Sequence, residues 1–351
     1  ADETLTAAFE GYIRELEGEP VETVPYEEGL AAGSIQLIDP MNDYIDSILK
    51  MVDAEAIRSR GLHMVLDPMY GVSKTALQTI LLTTRCDVEV IHERRDTLFG
   101  GRLPAPNLKT LAGLTNYVEE HGCDIGIATD GDADRLGVID DKAEFLHPNK
   151  ILVLLYYYLM RYRGWRGAAV RNLATTHLLD RIAEDFGETC YEVPVGFKYV
   201  SAKMVEAGAI IGGESSGGLT VRGHIQGKDG IYAAALLVEA IAKTGRRLSA
   251  LWDEITQKYG AAEMAEHDFH FSSAERTRIF KLLMEDKQLP EFPCEIAKVS
   301  YMDGCKVYFK NGGWVIARFS GTEPLLRVFC EMDTMENAGK IAKILTEFLS
   351  L

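Results

Sequence analysis

Three aspartates at alternate positions form the most chemically specific pattern in this sequence. Asp130, Asp132 and Asp134 directly follow an apolar run and are separated by small residues. Carboxylates at this spacing can converge in one tight loop, and oxygen ligands with open coordination positions suit Mg²⁺ that serves a phosphate. Three carboxylates and one Mg²⁺ leave a charge of about −1, which the adjacent Arg135 offsets. The pattern predicts a magnesium site.

Two other interpretations of this loop stay open. It could be a solvated acidic turn without an ion. It could also belong to an aspartyl-nucleophile phosphatase of the haloacid dehalogenase type, which carries Asp-x-Asp after a strand. The Ser/Thr motif, lysine and acidic pair of that class are not evident downstream. Calcium is disfavoured because the later oxygen ligands of an EF-hand loop are missing.

A glycine-rich stretch, residues 212–218, also follows an apolar run. Its glycines let a ligand approach the backbone closely, while Glu214 offers a hydrogen-bond acceptor and Ser216 a donor. That combination suits sugar hydroxyls. A plain glycine turn explains this stretch equally well when it is taken alone, and its spacing does not fit the dinucleotide-binding pattern.

A third stretch combines hydroxyls, a glycine and arginines between two predicted strands. Arg318 precedes Ser320, Gly321 and Thr322, and Arg327 follows on the next strand. Hydroxyls, free backbone N–H groups and guanidinium groups together can form an anion-binding nest. We expect a phosphate there, with a simple Ser/Gly turn as the alternative.

Single cations elsewhere carry a weaker signal. Lys198 and Lys228 each lie where a loop meets a predicted helix, and Arg171 lies in a predicted strand. Any of the three could contact an anionic ligand, although an isolated surface lysine usually only increases solubility.

Apolar runs and helical patterns alternate from His63 onward. Strands at 63–67, 88–93 and 123–130 alternate with helices at 73–84 and 108–121, and residues 149–244 repeat the rhythm. This alternation favours two similar α/β domains with parallel or mixed sheets. After Gly260 a helix, four short strands and a final helix predict a C-terminal α+β domain.

The predicted domain limits follow from these changes of pattern. Residues 1–40 form helix and linker, 41–145 a metal-binding α/β domain, 146–259 a sugar-binding α/β domain, and 260–351 a phosphate-binding α+β domain.

Composition excludes several partner classes. The 351 residues include 37 Lys and Arg against 53 Asp and Glu, which gives a net charge of −16. Bulk electrostatic binding to nucleic acid or to an anionic membrane is therefore not expected. Six cysteines without a Cys-x-x-Cys spacing indicate reduced thiols, and the longest apolar run covers about half of a membrane span. A cytoplasmic protein with a small-molecule ligand is expected, and the oligomeric state stays open.

The order of these motifs resembles the α-D-phosphohexomutase family, which includes phosphoglucomutases and phosphomannomutases. The resemblance covers essentially the whole chain, and all of its loops occur in the family's order. The matching segments are residues 67–74, 130–135, 195–198, 212–218, 228–230 and 318–327.

The resemblance implies a role for each of these loops. Asp130, Asp132 and Asp134 would hold Mg²⁺ with Arg135 beside them, Glu214 and Ser216 would bind sugar hydroxyls near Lys198, and Lys228 would act as a general acid/base. Arg318, Ser320, Gly321, Thr322 and Arg327 would hold the phosphate that does not react. The family has four domains around a cleft, of which three share an α/β fold.

The implied reaction interconverts hexose 1-phosphate and hexose 6-phosphate. A phosphoserine gives its phosphoryl group to the sugar, and the hexose 1,6-bisphosphate turns over and returns its other phosphoryl group. The family's serine lies in a Ser-His-Asn-Pro loop of the first domain, and that tetrapeptide does not occur here.

We therefore expect most of the first domain to be missing, with residues 1–17 as its closing helix and no activity from this chain alone. Gly218 replaces a histidine of many dual-specificity members, which favours the glucose type. The alternative is a non-catalytic module that binds sugar phosphate and Mg²⁺.

Overall fold

The computed structural model describes residues 3–321 and 323–351, which belong to two compact units, 1–51 and 52–351. The first unit contains three helices: α1 (Glu3–Glu15), α2 (Tyr26–Ala31) and α3 (Met41–Met51). Helix α1 presents a row of apolar side chains at helical spacing that are each at least 46% exposed in this structure. They are Leu5, Phe9, Tyr12 and Ile13.

The second unit begins with a five-stranded mixed sheet in the order β2-β1-β3-β4-β5. Strand β1 pairs in parallel with β2 and β3, whereas β4 and β5 continue the sheet with antiparallel pairs. The elements are α4 (Ala54–Arg60), β1 (His63–Asp67), α5 (Ser73–Thr83), β2 (Asp87–Val90), a 3-10 turn (Phe99–Gly101), α6 (Ala112–His121), β3 (Ile125–Thr129), β4 (Leu136–Ile139) and β5 (Phe145–Leu146).

A four-stranded sheet follows with the order β7-β6-β8-β9. It has the same strand order and directions as the first four strands of the preceding sheet, so the prediction of two similar α/β domains with mixed sheets is confirmed. The elements are α7 (Pro148–Arg161), β6 (Ala169–Asn172), α8 (Leu178–Asp185), β7 (Cys190–Val193), α9 (Phe197–Ala207), β8 (Ile211–Gly213), β9 (Leu219–Val221), α10 (Gly230–Thr244) and α11 (Leu248–Tyr259).

The C-terminal sheet is antiparallel throughout, in the order β10-β14-β13-β12-β11. Its edge strand β10 was not predicted, because it contains few apolar residues and half of its residues are exposed. The elements are β10 (Glu263–His270), α12 (Ser273–Phe280), a π-helical turn (Lys281–Glu285), β11 (Ile296–Ser300), β12 (Cys305–Phe309), β13 (Trp314–Phe319), β14 (Leu325–Met332) and α13 (Met335–Phe348).

Two helices of the second unit are buried around their whole circumference. In α7 every side chain from 151 to 160 is at most 3% exposed, and α10 is buried from Gly230 to Ile241. A helix that is apolar all round belongs to a protein core or to a membrane. No helix in the described residues is both long and apolar enough to span a bilayer.

One buried carboxylate joins three segments around α10. Glu239 has no exposed surface, and it accepts hydrogen bonds from Arg163 Nε at 2.7 Å, from the Asp53 backbone N–H at 2.8 Å and from the Tyr158 hydroxyl. A buried charge is tolerated only where such partners replace its hydration. Glu239 therefore fixes α10 against the end of α7 and the start of α4.

Replacing this carboxylate should destabilise the protein strongly. We expect Glu239→Ala to lower the free energy of unfolding by about 3–5 kcal/mol, because Arg163 loses its buried counter-charge and two donors lose their acceptor. Urea denaturation followed by circular dichroism measures this. Glu55→Ala is the control, since its carboxylate is 83% exposed beside Arg58 and its loss should leave the midpoint nearly unchanged.

Candidate functional site

The aspartate loop leaves the carboxyl end of β3 and forms a compact turn. One carboxylate oxygen from each of Asp130, Asp132 and Asp134 lies within 4.8 Å of the others. Asp130 is buried, Asp134 is half-buried and Asp132 is exposed. Ala133 adopts a left-handed φ of 64°, which lets the chain reverse between the second and third aspartates. This donor set fits a hard divalent cation that keeps open coordination positions.

Asp130 is oriented by the residue that follows the cluster. Its Oδ1 accepts a hydrogen bond from the Arg135 backbone N–H at 2.9 Å, and its Oδ2 accepts one from Arg135 Nε. Burial raises the pKa of Asp130, and these bonds to Arg135 oppose that shift. Both oxygens therefore already have a cationic or backbone donor.

Backbone contacts hold the loop from two sides. On one side, the Val72 N–H donates to the Gly131 carbonyl at 3.1 Å, and a Cβ at Gly71 would lie 2.6 Å from that carbonyl oxygen. On the other, the Gly230 N–H donates to the Ala133 carbonyl at 2.9 Å, and a Cβ at Gly230 would lie 2.9 Å from the same oxygen. The loop is therefore clamped where only glycine allows the backbones to approach.

Lys228 reaches the aspartate cluster from the second sheet's domain. Its Nζ forms an ion pair with Asp134 Oδ2. A side chain at Gly218 would overlap the methylene stem of Lys228, so the glycine opens the path that the lysine takes. Asp229 caps α10 by accepting from the backbone N–H groups of Ile231 and Tyr232, which fixes the segment that carries the lysine.

The glycine-rich loop presents Glu214 at the end of β8. Glu214 Oε1 accepts from Asn172 Nδ2 at 2.9 Å and from the Gly196 backbone N–H at 3.0 Å. Asn172 is 2% exposed and lies at the carboxyl end of β6. Sequence analysis missed it, and its only signal was a polar residue inside a predicted strand. These bonds restrict the rotation of the Glu214 carboxylate.

Two arginines face each other across neighbouring strands of the C-terminal sheet. Arg318 on β13 pairs directly with Arg327 on β14 in the antiparallel register. Like charges at such a position repel, and an anion between them would relieve the repulsion. We call this pair the phosphate clamp. Ser320 and Gly321 lie in the loop between these strands, whereas Thr322 lies outside the described residues.

The phosphate clamp faces the glycine-rich loop across a cavity of about 170 Å³. An adjoining cavity of about 420 Å³ shares Ser216 and Arg327. The structure thus brings four predicted site residues together. Those lining the first cavity are Glu214, Ser216, Arg318 and Arg327.

Arg171 and Lys198 are among the predicted residues that line neither of these cavities. Arg171 is 3% exposed and directs its guanidinium to Asp180 at 2.7 Å and to Glu192 at 2.6 Å. Lys198 is exposed on α9, with its Nζ 4.8 Å from the centre of the Tyr199 ring. Arg171 therefore has a packing role in this structure, and its charge is already compensated.

A buried lysine joins the second sheet to the C-terminal sheet beside the site. Lys306 is 1% exposed, and its Nζ donates to the Leu173 carbonyl at 2.6 Å and to Glu192 at 2.8 Å. Burial lowers the pKa of Lys306 to about 7, and burial lowers the pKa of the adjacent His177 to about 3. Sequence analysis missed Lys306, because a lone lysine in a strand usually points to solvent.

Three family models match this chain. They are described as phosphoglucomutase/phosphomannomutase alpha/beta/alpha domain II at residues 42–143, alpha/beta/alpha domain III at 147–259, and C-terminal domain at 281–347.

Curated relatives and solved structures carry related names. A phosphoglucomutase/phosphomannomutase of Thermococcus kodakarensis is 33% identical over 312 residues, covering 89% of this chain and 66% of the relative. A phosphoglucomutase of Komagataeibacter xylinus is 27% identical over 368 residues, covering 97% of this chain and 65% of the relative. The crystal structure of a phosphoglucomutase/phosphomannomutase family protein from Burkholderia thailandensis has a TM-score of 0.75 at 22% identity, covering 90% and 66% of the two chains. This chain thus spans slightly less than two thirds of these two curated relatives.

The exposed member of the aspartate cluster offers a clean test of metal binding. We expect Asp132→Asn to weaken Mg²⁺ binding at least about tenfold, because it removes one anionic ligand. Stability should stay nearly unchanged, since Asp132 makes no hydrogen bond or ion pair with the rest of the described chain. Isothermal titration calorimetry with Mg²⁺ measures the affinity, and Asp253→Asn on α11 is the matched control. Equal affinities for Asp132→Asn and wild type would contradict the assignment.

Lys228 should oppose cation binding at the same cluster. The Lys228 ammonium pairs with the Asp134 carboxylate and places a positive charge beside the candidate metal ligands. Lys228→Met should therefore raise Mg²⁺ affinity by roughly threefold to tenfold. The same calorimetric titration checks this. Lys142→Met, which removes a lysine paired with Asp253 instead, should leave Mg²⁺ affinity unchanged. A lower affinity in Lys228→Met would show that the lysine supports the metal site.

Proposed function

This chain belongs to the phosphoglucomutase/phosphomannomutase family, and from that membership we propose that its site interconverts hexose 1-phosphate and hexose 6-phosphate. The proposed substrate is a glucose phosphate. The reaction is an intramolecular phosphotransfer in net terms and passes through hexose 1,6-bisphosphate. A phosphoserine from outside these 351 residues is the proposed phosphoryl donor.

One observation carries this proposal. Glu214 and Ser216, the proposed sugar-binding pair, line the same cavity as Arg318 and Arg327, the proposed phosphate-binding pair. More than 100 positions separate the two pairs in sequence. A hexose phosphate presents hydroxyls and a phosphate dianion in one molecule. The cavity therefore offers complementary groups to both of its ends.

The proposed chemistry assigns one task to each group. Arg318 and Arg327 hold the phosphate that does not react, and Glu214 accepts hydrogen bonds from sugar hydroxyls. Lys228 manages the proton of the attacking hydroxyl, whose oxygen forms the new P–O bond while the serine oxygen leaves. Mg²⁺ held by Asp130, Asp132 and Asp134 would neutralise the charge that develops on the transferring phosphoryl group.

The second half of the cycle uses the same groups in reverse. The bisphosphate turns over so that its other phosphate faces the serine, and that phosphoryl group returns to the serine oxygen. Hexose 6-phosphate then leaves and the phosphoserine is restored. A phosphate clamp that accepts either end of the sugar supports this cycle, because one clamp then serves both orientations.

Glycine at position 218 supports a glucose-type substrate. It leaves room for Lys228 in place of the histidine of many dual-specificity relatives. The Komagataeibacter relative is named a phosphoglucomutase, whereas a relative of Methanothermobacter thermautotrophicus is named a probable phosphoglucosamine mutase, so the choice of glucose rests on Gly218.

An aspartyl-phosphatase mechanism receives less support from the geometry. A nucleophilic carboxylate attacks phosphorus through one oxygen, and a hydrogen bond donated to that oxygen lowers its nucleophilicity. Both oxygens of Asp130 accept hydrogen bonds from Arg135. A non-catalytic module that binds sugar phosphate and Mg²⁺ uses the same contacts as the proposed mutase, so it differs from it only in turnover.

Binding and turnover together test the proposal. We expect this chain to bind glucose 1-phosphate by calorimetry, and Arg318→Ala to weaken that binding at least about tenfold while sparing Mg²⁺ affinity. In a coupled assay with glucose 1-phosphate and catalytic glucose 1,6-bisphosphate, this chain alone should form no glucose 6-phosphate.

Each contrary outcome has a distinct meaning. Turnover by this chain would place the nucleophile within it, and absence of glucose 1-phosphate binding would refute the sugar-phosphate site. Release of inorganic phosphate that Asp130→Asn abolishes would favour the phosphatase. Equal loss of Mg²⁺ and sugar-phosphate affinity in Arg318→Ala would indicate misfolding of that variant, and Arg327→Ala then repeats the test.

A further inference from the structure

One carboxylate joins the phosphate clamp to the second sheet's domain. Asp303 lies in the turn between β11 and β12, and its Oδ2 accepts from Arg318 Nε at 2.8 Å. The same oxygen accepts from the Val195 backbone N–H at 3.0 Å, in the loop that follows β7. A single oxygen atom therefore fixes a clamp arginine against the neighbouring domain.

The local backbone places Asp303 at this junction. Gly304 has a φ of 92°, and a Cβ there would lie 2.6 Å from the Ala317 carbonyl oxygen, so the turn requires glycine. The side chains of Asp303 and Arg318 are only 25% and 16% exposed. Solvent screens such a pair less than it screens a surface ion pair.

The loop that Asp303 holds also holds the proposed sugar acceptor. Gly196 follows Val195 directly, and its backbone N–H donates to Glu214 Oε1 at 3.0 Å. A continuous path of polar contacts thus runs from Arg318 through Asp303 and residues 195–196 to Glu214. The two ends of this path are the groups that face opposite ends of the proposed ligand.

We propose that Asp303 is a positioning residue that sets the spacing between the phosphate clamp and Glu214, an inference that rests on the proposed function. A ligand engages both groups at once only when their spacing matches its own, and pre-set spacing removes the cost of ordering them. Inorganic phosphate has only one end, so its binding does not depend on this spacing. Asp303 therefore affects how much more tightly a sugar phosphate binds than inorganic phosphate does.

The experiment compares two ligands in each variant. Calorimetry gives the dissociation constants of inorganic phosphate and of glucose 1-phosphate. We define the sugar gain as the dissociation constant of inorganic phosphate divided by that of glucose 1-phosphate. In Asp303→Ala we expect the sugar gain to fall about tenfold, because the clamp is no longer aligned with Glu214. Inorganic phosphate should bind equally well or up to about threefold more tightly, since a carboxylate that competes for Arg318 is gone.

A matched control separates alignment from simple charge removal. Glu323→Gln removes the carboxylate that pairs with Arg327 Nη2 at 3.0 Å, and within the described chain this side chain makes no bond to the second sheet's domain. It should change the binding of both ligands alike and keep the sugar gain. A coupled test uses Glu214→Gln, in which Asp303→Ala should cause no further loss of sugar gain.

A second variant guards against a failure to fold. Asp303→Asn keeps an acceptor for the Val195 N–H without the charge, and it should show an intermediate sugar gain with a near-native melting temperature. A sugar gain that persists in both Asp303 variants would overturn the positioning role alone. Equal weakening of both ligands in Asp303→Asn would also overturn it, because that pattern reports general damage. A wild-type chain with no sugar gain would overturn the proposed function and this inference with it.

Discussion

The close approach of backbones around the aspartate loop is the constraint on which the site depends. The carbonyls of Gly131 and Ala133 accept from Val72 and Gly230, so one loop of the first sheet's domain is bound on both sides. The adjoining contact from the Leu136 N–H to the Gly217 carbonyl at 3.2 Å extends this junction to the glycine-rich loop. The candidate metal ligands and the proposed sugar ligands follow strands of different sheets, and these peptide contacts set the distance between them.

The positive charge at the site comes from a few nearby cations, although the chain as a whole is strongly acidic. Four cations near the cavity or the aspartate loop each have a carboxylate partner that partly offsets their charge. The pairs are Arg135 with Asp130, Lys228 with Asp134, Arg318 with Asp303 and Arg327 with Glu323. In the proposed function a phosphate competes with these carboxylates for the guanidinium donors, and two arginines on adjacent strands favour it.

Buried charged groups define how the sheets are arranged. Glu239 ties α10 to α7 and α4, and Lys306 ties the C-terminal sheet to the second sheet through Leu173 and Glu192. Removing Arg163 or Glu192 would leave a buried charge without this counter-ion, which costs several kcal/mol. Arrangements of the domains that separate these partners are disfavoured for that reason. The residue beside Leu173 is Asn172, so the buried lysine also supports the strand end that orients Glu214.

The sequence by itself determined the class of the fold and located the loops that carry the candidate ligands. Apolar periodicity predicted the α/β repeat, and the Asp-x-Asp-x-Asp pattern gathers its ligands locally, because three carboxylates within five residues converge through the turn alone. Strand β10 was not predicted from the sequence, because an edge strand needs few apolar residues.

Only the tertiary structure decided which distant residues act together. It places Arg171 away from the cavity. It also reveals Asn172, Asp303 and Lys306, whose hydrogen bonds to Glu214, Arg318, Val195 and Leu173 span 15 to 133 positions of the chain. Local propensity has no information about such partners, because packing between sheets, and not spacing along the chain, brings them within hydrogen-bonding distance.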